Sequence, residues 1–251
     1  MPHRFSRTEL VIGTNGLHRL QNSTVAVFGL GGVGSYTAEA LARSGVGHLV
    51  LIDKDVVDIT NINRQIPALT STIGRPKVDV MAERIADINP DCQVDKKQMF
   101  FLKDTEHDIF TIQFDYVADA IDTLSAKIHL VELCKARAIP IASSMGAANK
   151  TDPSQFRVMD ISETSVDPIA RVMRRELRKR GMDQGLKVVC SLETPANTHE
   201  EIKLSLIPAK EDKEIPLSSK AANPPGSLAF VPSVAGLILA SIVITDLLHQ
   251  H

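Results

Sequence analysis

Four glycines and one aspartate form a pattern that many α/β proteins use to bind a ribonucleotide. The glycines lie in GLGGVG, between the strand-like run TVAVFG and the helical segment VGSYTAEALARSG, at Gly29, Gly31, Gly32 and Gly34. Glycine permits a tight turn there and lets a phosphate approach the free N–H groups at the helix N-terminus. Asp53 ends the next strand-like run, HLVLID, where a carboxylate can bind both ribose hydroxyls. This pattern predicts a ribonucleotide site and, by itself, leaves NAD and ATP both open.

The polar stretch that follows Asp53 favours ATP. Asp55, Asn61, Arg64 and Lys77 lie within one strand-to-helix connection of it, and we assign all four to the same nucleotide site. Two cations beside a helix N-terminus suit a triphosphate better than the diphosphate of a dinucleotide. Simpler interpretations stay open at this stage: Asn61 as a turn cap, and Arg64 and Lys77 as solvated surface charges.

Asp122 is the candidate magnesium ligand. It ends the strand-like run DYVADAID. The carboxyl ends of neighbouring parallel strands share one edge of a sheet, so we expect Asp122 near the glycine turn and Asp53. A carboxylate at that edge would hold Mg²⁺ beside the phosphates. The alternative is that Asp122 caps the following helix, LSAKIHLVELCKARA.

The order of the segments predicts the fold class. TVAVFG, HLVLID, DYVADAID and IPIASS alternate with helical segments, of which GRPKVDVMAERIADINP has the clearest apolar face. Such β-α-β order is typical of a parallel, doubly wound sheet. FRVMDI, KVVCSLE and EIKLSLIP look like strands of a mixed continuation, and AKEDKEIPLSSKAANPPGS looks like a mobile charged loop. We therefore predict an α/β fold: a Rossmann-like, mostly parallel sheet with a mixed C-terminal continuation.

Composition narrows the class of protein. The 251 residues are expected to form a single domain, with a nucleotide-binding core over about 20–150 and a substrate-side part over about 151–251. With 28 basic and 30 acidic residues, no overall charge attracts nucleic acid, so any basic surface must be local. Cys92, Cys134 and Cys190 are odd in number and far apart, which favours neither a disulfide framework nor a metal-binding pair. A reducing cytoplasm fits this pattern.

Two segments bear on membrane association. MPHRFSRTEL has no apolar run of the kind that signal peptides carry. LAFVPSVAGLILASIVITDLL, residues 228–248, is nearly long enough to cross a bilayer, but Pro232, Gly236 and Asp246 are among the residues that interrupt it. We predict a buried helix in the core or at a subunit interface, and no membrane partner. A membrane span is the less favoured interpretation.

These motifs carry a resemblance to known families. GLGGVG, LIDKDVVDITNINRQ, IGRPKV and DAID resemble the ATP-binding core of ubiquitin-activating enzymes and of their bacterial relatives that adenylate sulfur-carrier proteins. RFSRTELVIG, EALARSGVGHLVLID, NRQIPAL, VMAERIADINP and GSLAFVPSVAGLILA further resemble tRNA threonylcarbamoyladenosine dehydratases, over essentially the whole chain. Adenylation of a sulfur-carrier protein is the alternative. It is disfavoured because such enzymes usually carry two C-x-x-C zinc pairs and this sequence has none.

The resemblance implies an activity and a set of roles. It implies a homodimer that uses ATP and Mg²⁺ to cyclise threonylcarbamoyladenosine in tRNA to its oxazolone form. Gly29, Gly31 and Gly32 would form the nucleotide turn, Asp53 would bind ribose, Asn61, Arg64 and Lys77 would bind phosphates, and Asp122 would lie near magnesium. Arg7, in RFSR, matches an arginine that reaches across the dimer to the other subunit's ATP. A sulfur-transfer protein is a further partner that stays open.

The implied chemistry needs no nucleophile from the enzyme. Adenylation turns the threonyl carboxylate into a good electrophile, and the carbamoyl oxygen of the same nucleoside then closes the ring and expels AMP. Arg64, Lys77 and Arg7 would stabilise the phosphate charge together with magnesium. Cys190 lies in the alternating run KVVCSLE, so we interpret it as a structural cysteine.

A basic helix face is the candidate tRNA-binding surface. In DPIARVMRRELRKR, four arginines fall at helical spacing opposite an apolar face: Arg171, Arg174, Arg175 and Arg178. They are placed to bind tRNA phosphates or to stack on exposed bases of an anticodon loop. The alternative is a solvated helix face without a partner. By position, the small-residue loop SSMGAANKTDP is the candidate to receive the modified base.

Overall fold

A seven-stranded sheet organises the described part of the chain, which comprises residues 2–199, 201–202 and 225–249 of a computed structural model. In chain order its strands are β1 Thr24–Phe28, β2 His48–Ile52, β3 Gln93–Lys97, β4 Tyr116–Asp119, β5 Ile141–Ser144, β6 Phe156–Asp160 and β7 Lys187–Ser191. They lie side by side in the order β3-β2-β1-β4-β5-β7-β6. The first strand, β1, therefore lies inside the sheet, and later strands extend the sheet on both sides of it.

The strand pairings confirm the predicted fold class. All neighbouring strands pair in parallel except β6 and β7, which are antiparallel. β1, β2 and β4 consist almost wholly of buried apolar residues because helices cover both faces of the sheet. The α/β, Rossmann-like, mostly parallel sheet thus continues into a mixed C-terminal edge, as the segment order predicts.

The sequence pattern gives no indication of β3. Its residues, QVDKK, are mostly polar, yet they pair in parallel with β2 over its whole length, from His48 opposite Gln93 to Ile52 opposite Lys97. β3 forms one edge of the sheet, where polar side chains reach water. Its pairing is therefore set by the neighbouring strand rather than by its own apolar residues.

Helices lie on both faces of the sheet. They are α1 Ser6–Gln21, α2 Gly34–Ser44, α3 Lys77–Ile88, α4 Glu106–Ile109, α5 Leu124–Ala136, α6 Pro168–Arg178 and α7 Phe230–His249. Alternate residues of β1 point to opposite faces: Val25 and Val27 pack with α2, α3 and α7, while Ala26 and Phe28 pack with α5 and α6. The nucleotide turn, GLGGVG, lies between the end of β1 and the start of α2.

The apolar segment at residues 228–248 forms the core helix α7. Val231, Ala235, Leu239 and Val243 repeat every four residues and are fully buried against the sheet and α2. A Cβ built on Gly236 would lie 2.2 Å from the Val33 carbonyl oxygen, so only glycine permits this close approach. By length and composition α7 is also apolar enough to cross a membrane, but this is weak evidence for a membrane span, because a buried core helix meets the same criterion.

Two predicted segments fall almost entirely outside the described residues. They are EIKLSLIP, predicted as a strand, and AKEDKEIPLSSKAANPPGS, predicted as a mobile charged loop. Pro225, Gly226 and Ser227, at the end of the second segment, are described. They line a cavity at the carboxyl edge of the sheet.

Candidate active site

The glycine turn is shaped by two backbone contacts. Gly29 has a φ of 86°, and a Cβ built on it would lie 2.8 Å from the Ala120 carbonyl oxygen. A Cβ on Gly34 would lie 1.7 Å from the Gly29 carbonyl oxygen. By contrast, the nearest atom to a Cβ on Gly31 is Gln65 Nε2, at 3.8 Å. Gly29 and Gly34 are therefore required by the fold, while Gly31 leaves open space above the turn.

A cavity of about 720 Å³ opens at the carboxyl edge of the sheet, above this turn. It is bounded by the segments that follow β1, β2, β4 and β5, where ligands bind in open parallel sheets. Most of the predicted nucleotide-site residues line it: Gly29, Gly31, Gly32, Asp53, Asp55, Asn61, Arg64, Lys77 and Asp122. Gly34 lies just below, at the first turn of α2, and Arg7 does not line the cavity.

Asp53 is fixed at the end of β2 by two main-chain donors. Its Oδ2 accepts a hydrogen bond from the Leu30 N–H at 2.6 Å, and its Oδ1 accepts one from the Asp55 N–H at 2.8 Å. Burial raises the pKa of Asp53, while the positive charge of Lys77 opposes that rise. The carboxylate therefore also holds the glycine turn, because Leu30 belongs to that turn.

Main-chain hydrogen bonds bring Lys77, at the start of α3, back beside Asp55 and the cavity. The Val57 N–H donates to the Arg75 carbonyl at 2.8 Å, and the Lys77 N–H donates to the Asp55 carbonyl at 3.1 Å. The Lys77 ammonium then lies 3.1 Å from Asp55 Oδ2. Its side chain is 5% exposed, so the interpretation of Lys77 as a solvated surface charge is wrong.

Arg64 is half-buried at the cavity and binds neutral oxygens. Its Nη1 donates to the Thr60 carbonyl and to Asn63 Oδ1, each at 2.8 Å. Burial lowers the pKa of Arg64 from its usual value. Desolvated cations beside a glycine turn attract polyphosphate more strongly than solvated ones do.

Asn61 caps a turn and also lines the cavity. Its Oδ1 accepts from the Asp58 N–H at 3.2 Å, while the Asp58 carboxylate accepts from the Thr60 N–H at 2.8 Å. The interpretation of Asn61 as a turn cap therefore describes a real contact. It does not exclude contact with a ligand, because the residue also faces the cavity.

Asp122 is exposed at the cavity, just beyond β4. Its Oδ1 accepts a hydrogen bond from the Thr123 hydroxyl at 3.4 Å. Among the described residues no group of three or more His, Cys, Asp or Glu side chains is placed to hold a metal ion. A single carboxylate nevertheless suits Mg²⁺, which takes most of its ligands from phosphates and water in nucleotide sites. Asp122 thus fits a magnesium ion that arrives with a nucleotide.

The sequence interpretation missed a buried network below Asp122. Asp119 Oδ2 accepts from Lys127 Nζ at 2.7 Å and from the Ser143 hydroxyl at 2.6 Å, and Asp119 Oδ1 accepts from the Ile121 N–H at 3.0 Å. The network ties β4, α5 and β5 together directly under the segment that carries Asp122. The available signal was an aspartate in the otherwise apolar run YVADAI, followed by a lysine in the first turn of the next helix.

Gln65 is a second residue that the sequence interpretation missed. It lines the cavity beside Gly31, is 8% exposed, and its Oε1 accepts no hydrogen bond from the described residues. Buried amide oxygens normally have a partner. The arrangement makes Gln65 a candidate contact for a bound ligand.

Similarity to known proteins agrees with this geometry. The model of the ThiF family matches residues 5–251. The chain belongs to the ThiF family. The resemblance identified from the sequence motifs is thereby confirmed.

Individual members of the ThiF family match the chain from end to end. It is 55% identical to the tRNA threonylcarbamoyladenosine dehydratase of Bacillus subtilis over 248 residues, which cover 99% of this chain and 96% of that protein. Crystal structures of the Escherichia coli tRNA N6-threonylcarbamoyladenosine dehydratase in complex with ATP and with AMP superpose with a TM-score of 0.83. Their sequence identity is 32%, and the match covers 97% of this chain and 93% of theirs.

A sulfur-carrier enzyme of the same superfamily matches a shorter region. The sulfur carrier protein ThiS adenylyltransferase of Escherichia coli is 36% identical over 147 residues, which cover 57% of this chain and 58% of that protein. The shared part is therefore about half of each chain. The similarity to the two dehydratases extends through the remaining half as well.

In this ThiF-family chain, Arg7 lies at the edge of the sheet opposite the cavity. Arg4 Nη1 donates to the Ile88 carbonyl at 2.8 Å, and a Cβ built on Gly45 would lie 3.5 Å from the Phe5 ring. Ile88 and Gly45 end α3 and α2, whose C-termini are at the amino edge of the strands. The exposed Arg7 is thus separated from the cavity of its own chain by the depth of the sheet.

The four arginines of α6, which we call the arginine helix, do not form one uniform surface. Arg174 turns inward and donates from Nη1 to the Thr164 carbonyl at 2.5 Å. Arg171, Arg175 and Arg178 are exposed; Arg175 pairs with Glu176 at 3.0 Å, and Arg178 pairs with Asp183 at 3.6 Å. The candidate basic face therefore consists of three arginines, and acidic side chains partly neutralise two of them.

The three cysteines of this ThiF-family chain are free and buried. Burial raises the pKa of Cys190 to about 11, and the nearby Asp167 carboxylate adds to that rise. A thiol of this kind is protonated at neutral pH and is a poor nucleophile. This supports the interpretation of Cys190 as a structural residue.

Proposed function

We propose that this protein catalyses the ATP-dependent dehydrative cyclisation of threonylcarbamoyladenosine in tRNA to its oxazolone form. One observation carries the proposal: a single cavity unites the glycine turn with Asp53, Arg64 and Lys77, in a chain that matches the Bacillus subtilis dehydratase over 99% of its length. The alternative, adenylation of a sulfur-carrier protein, rests on similarity over 57% of the chain.

The cavity supplies the groups that ATP needs. Asp53 binds the ribose hydroxyls, and the open space above Gly31 lets the phosphates approach the N-terminus of α2. Arg64 and Lys77 bind the phosphates, with Asn61 and Asp55 at the rim of the same site. Asp122 would hold a magnesium ion, and that ion would neutralise phosphate charge.

The proposed reaction has two steps. The threonyl carboxylate attacks the α-phosphorus of ATP, and pyrophosphate leaves, which produces an acyl-adenylate. The carbamoyl oxygen then attacks the acyl carbon, AMP leaves with the C–O bond electrons, and the nitrogen of the carbamoyl group loses a proton. The net change in the nucleoside is the loss of one water. Arg64 and Lys77 stabilise the charge on the phosphates in the first step.

The remaining parts of the proposal concern partners. The tRNA binds along the exposed side of the arginine helix, through Arg171, Arg175 and Arg178. The protein acts as a homodimer in the cytoplasm, as one domain, and Arg7 reaches the ATP of the other subunit. Because Arg7 lies at the amino edge of the sheet, a role in its own site would require a large rearrangement.

Nucleoside mass spectrometry tests the function directly. Purified protein is incubated with ATP, Mg²⁺ and tRNA that carries threonylcarbamoyladenosine, and the tRNA is digested without alkali because the cyclic product opens readily. The expected result is a nucleoside that has lost one water, formed together with AMP and pyrophosphate. A chain with Arg64→Ala serves as the inactive control, and Lys96→Ala, which is outside the cavity, as the active one.

Two outcomes would contradict the proposal. Pyrophosphate exchange that depends on a small sulfur-carrier protein, without any change in tRNA, would identify the alternative reaction. Thermal stabilisation by NAD rather than by ATP with Mg²⁺ would identify a different nucleotide site, because a ligand stabilises the protein that binds it.

A further inference from the structure

A buried ion pair lies outside the cavity and plays no part in the proposed chemistry. Lys150 Nζ lies 2.8 Å from Asp167 Oδ2, and each side chain is 1% exposed. Removing two charges from water costs about as much free energy as their attraction returns, so such a pair is weak evidence for a stabilising role. A role in holding two parts of the structure together is the better explanation.

The pair connects the wall of the cavity to the start of the arginine helix. Lys150 Nζ also donates to the Gly146 carbonyl at 2.9 Å, and Gly146 belongs to the segment 144–148, which lines the cavity and which we call the wall loop. Asp167 is the N-cap of the arginine helix, because its Oδ1 accepts from the Ala170 N–H at 2.9 Å. Asp167 Oδ1 also accepts from the Gly146 N–H at 3.4 Å.

The wall loop and the helix are packed without spare room. A Cβ built on Gly146 would lie 2.8 Å from Asp167 Oδ2 and 3.4 Å from Ile169 Cδ1. Ile169, in the first turn of the arginine helix, itself lines the cavity. A shift of the helix would therefore move the wall of the cavity, and the ion pair fixes their relative position.

We propose that Lys150 and Asp167 are positioning residues that align the arginine helix with the cavity, so that tRNA bound on the helix delivers its modified nucleoside to the bound ATP. The inference rests on the proposed function and adds a reason for the pair. The arginines supply affinity for the tRNA backbone, and the pair sets where the reacting nucleoside lies. Small errors in such placement reduce rates strongly without weakening binding.

A neutral double variant, Lys150→Met with Asp167→Asn, tests this role. Met keeps most of the lysine stem, and Asn keeps the N-cap acceptor while it removes the buried charge. We expect the affinities for ATP and for tRNA to stay within about twofold of wild type, because the cavity and the exposed arginines are intact. The single-turnover rate of cyclisation at saturating ATP and tRNA should fall by about 10-fold or more.

The matched control removes an ion pair on the other face of the sheet. Arg84 donates to Glu39 at 2.5 and 3.0 Å, between α3 and α2, and neither residue lines the cavity. Arg84→Met with Glu39→Gln should leave both affinities and the single-turnover rate within about twofold of wild type. Thermal unfolding of both double variants checks that each protein is folded at the assay temperature.

A second variant perturbs the same contact without removing a charge. Gly146→Ala places a methyl group against Asp167 Oδ2 and pushes the wall loop away from the helix. It should show the same slow cyclisation with retained affinities, and it decides the question if the double variant does not fold.

Three outcomes separate the hypotheses. Wild-type rates in folded Lys150→Met, Asp167→Asn protein would overturn the positioning role and leave the pair as part of folding. A loss of tRNA affinity with an unchanged rate would overturn it too, because the pair would then support binding rather than placement. A wild-type protein that forms no cyclised nucleoside would count against the proposed function itself, before any variant is compared.

Discussion

Lys77 Nζ lies 3.1 Å from Asp55 Oδ2, and the two side chains differ greatly in exposure: 5% for the lysine and 52% for the aspartate. A buried cation therefore faces the cavity beside a carboxylate that is still partly in water. The fold has already desolvated and oriented the ammonium before any ligand binds. Preorganised charge of this kind is what stabilises developing phosphate charge efficiently.

The first prediction concerns the two cations of the cavity. Lys77→Met and Arg64→Ala should each lower turnover by roughly 10²-fold, because each removes a preorganised charge from the phosphates. Cyclised nucleoside formed per minute at saturating ATP measures the effect. Lys96→Ala removes an exposed lysine that pairs with Asp79 outside the cavity, and it should change turnover by less than about twofold. Near-wild-type activity of the cavity variants would mean that neither cation contacts the phosphates.

The second prediction concerns Asp53. Asp53→Ala should weaken ATP binding by about 10-fold or more and change turnover at saturating ATP much less, because ribose hydroxyls are present in both the ground and the transition states. The variant should also unfold at a lower temperature, since the Leu30 and Asp55 N–H groups lose their acceptor. Calorimetry gives the affinity, and Asp79→Ala is the acidic control outside the cavity. Unchanged ATP affinity would reject the assignment to ribose.

The third prediction is that Arg7 acts in the other subunit's site. Chains with Arg7→Ala and with Asp122→Ala should each be nearly inactive as homodimers. Mixed at an equal ratio with random exchange, about half of the dimers are mixed and each holds one intact site, so activity should recover to roughly a quarter of wild type.

Co-expression followed by the nucleoside assay measures this recovery. Native mass spectrometry counts the mixed dimers, and Arg4→Ala, which removes the neighbouring arginine that binds Ile88, is the control for folding of α1. Mixed dimers without recovered activity would place Arg7 in its own subunit or in folding alone.

The fourth prediction separates the arginines of the arginine helix. Replacing Arg171, Arg175 and Arg178 together by alanine should weaken tRNA binding by about 10-fold or more and flatten its dependence on salt, because exposed arginines contribute through phosphate contacts. Arg174→Ala should mainly lower thermal stability, since Arg174 binds the Thr164 carbonyl inside the fold. Filter binding at several salt concentrations distinguishes the two. An unchanged salt dependence in the triple variant would assign the basic face to solvent.

The fifth prediction concerns Cys190. Because burial raises the pKa of its thiol to about 11, Cys190 remains protonated between pH 7 and 9 and becomes a thiolate only as the pH rises through that value. Cys190→Ala should therefore keep cyclisation within about twofold of wild type. An aromatic disulfide reagent at pH 8 should modify this cysteine only after denaturant is added. Rapid modification of the native protein, or loss of activity in the variant, would reveal a reactive thiol.

Local sequence determined the glycine turn, the strand positions and the helix faces of this protein. Gly34 has to be glycine because its Cα lies against the Gly29 carbonyl of the same turn, and the strand that precedes Asp53 is a short apolar run. Such features depend on residues close together in the chain, so turn type, strand position and helix faces could be predicted from the sequence. The full-length family resemblance rests on these same local motifs.

Only the tertiary structure decided how the charges are paired. Lys77 meets Asp55 because the chain returns over more than twenty residues, and Lys150 meets Asp167 because the wall loop packs on the arginine helix. β3 is polar, and its place in the sheet is set by β2. Arg174 has the same helical spacing as the other three arginines, yet it bonds to the Thr164 carbonyl inside the fold, while the other three are exposed.

The physical reason is that apolar periodicity is a property of one segment, whereas an ion pair is a property of two. A helix or strand reveals its buried face through spacing alone, because water excludes apolar groups wherever they stand. A buried charge is tolerated only beside its partner, and which partner it meets depends on how distant segments pack. The sequence therefore predicted the fold class and nine of the residues that line the cavity, while packing decided which charged side chains are buried, paired or left facing the cavity.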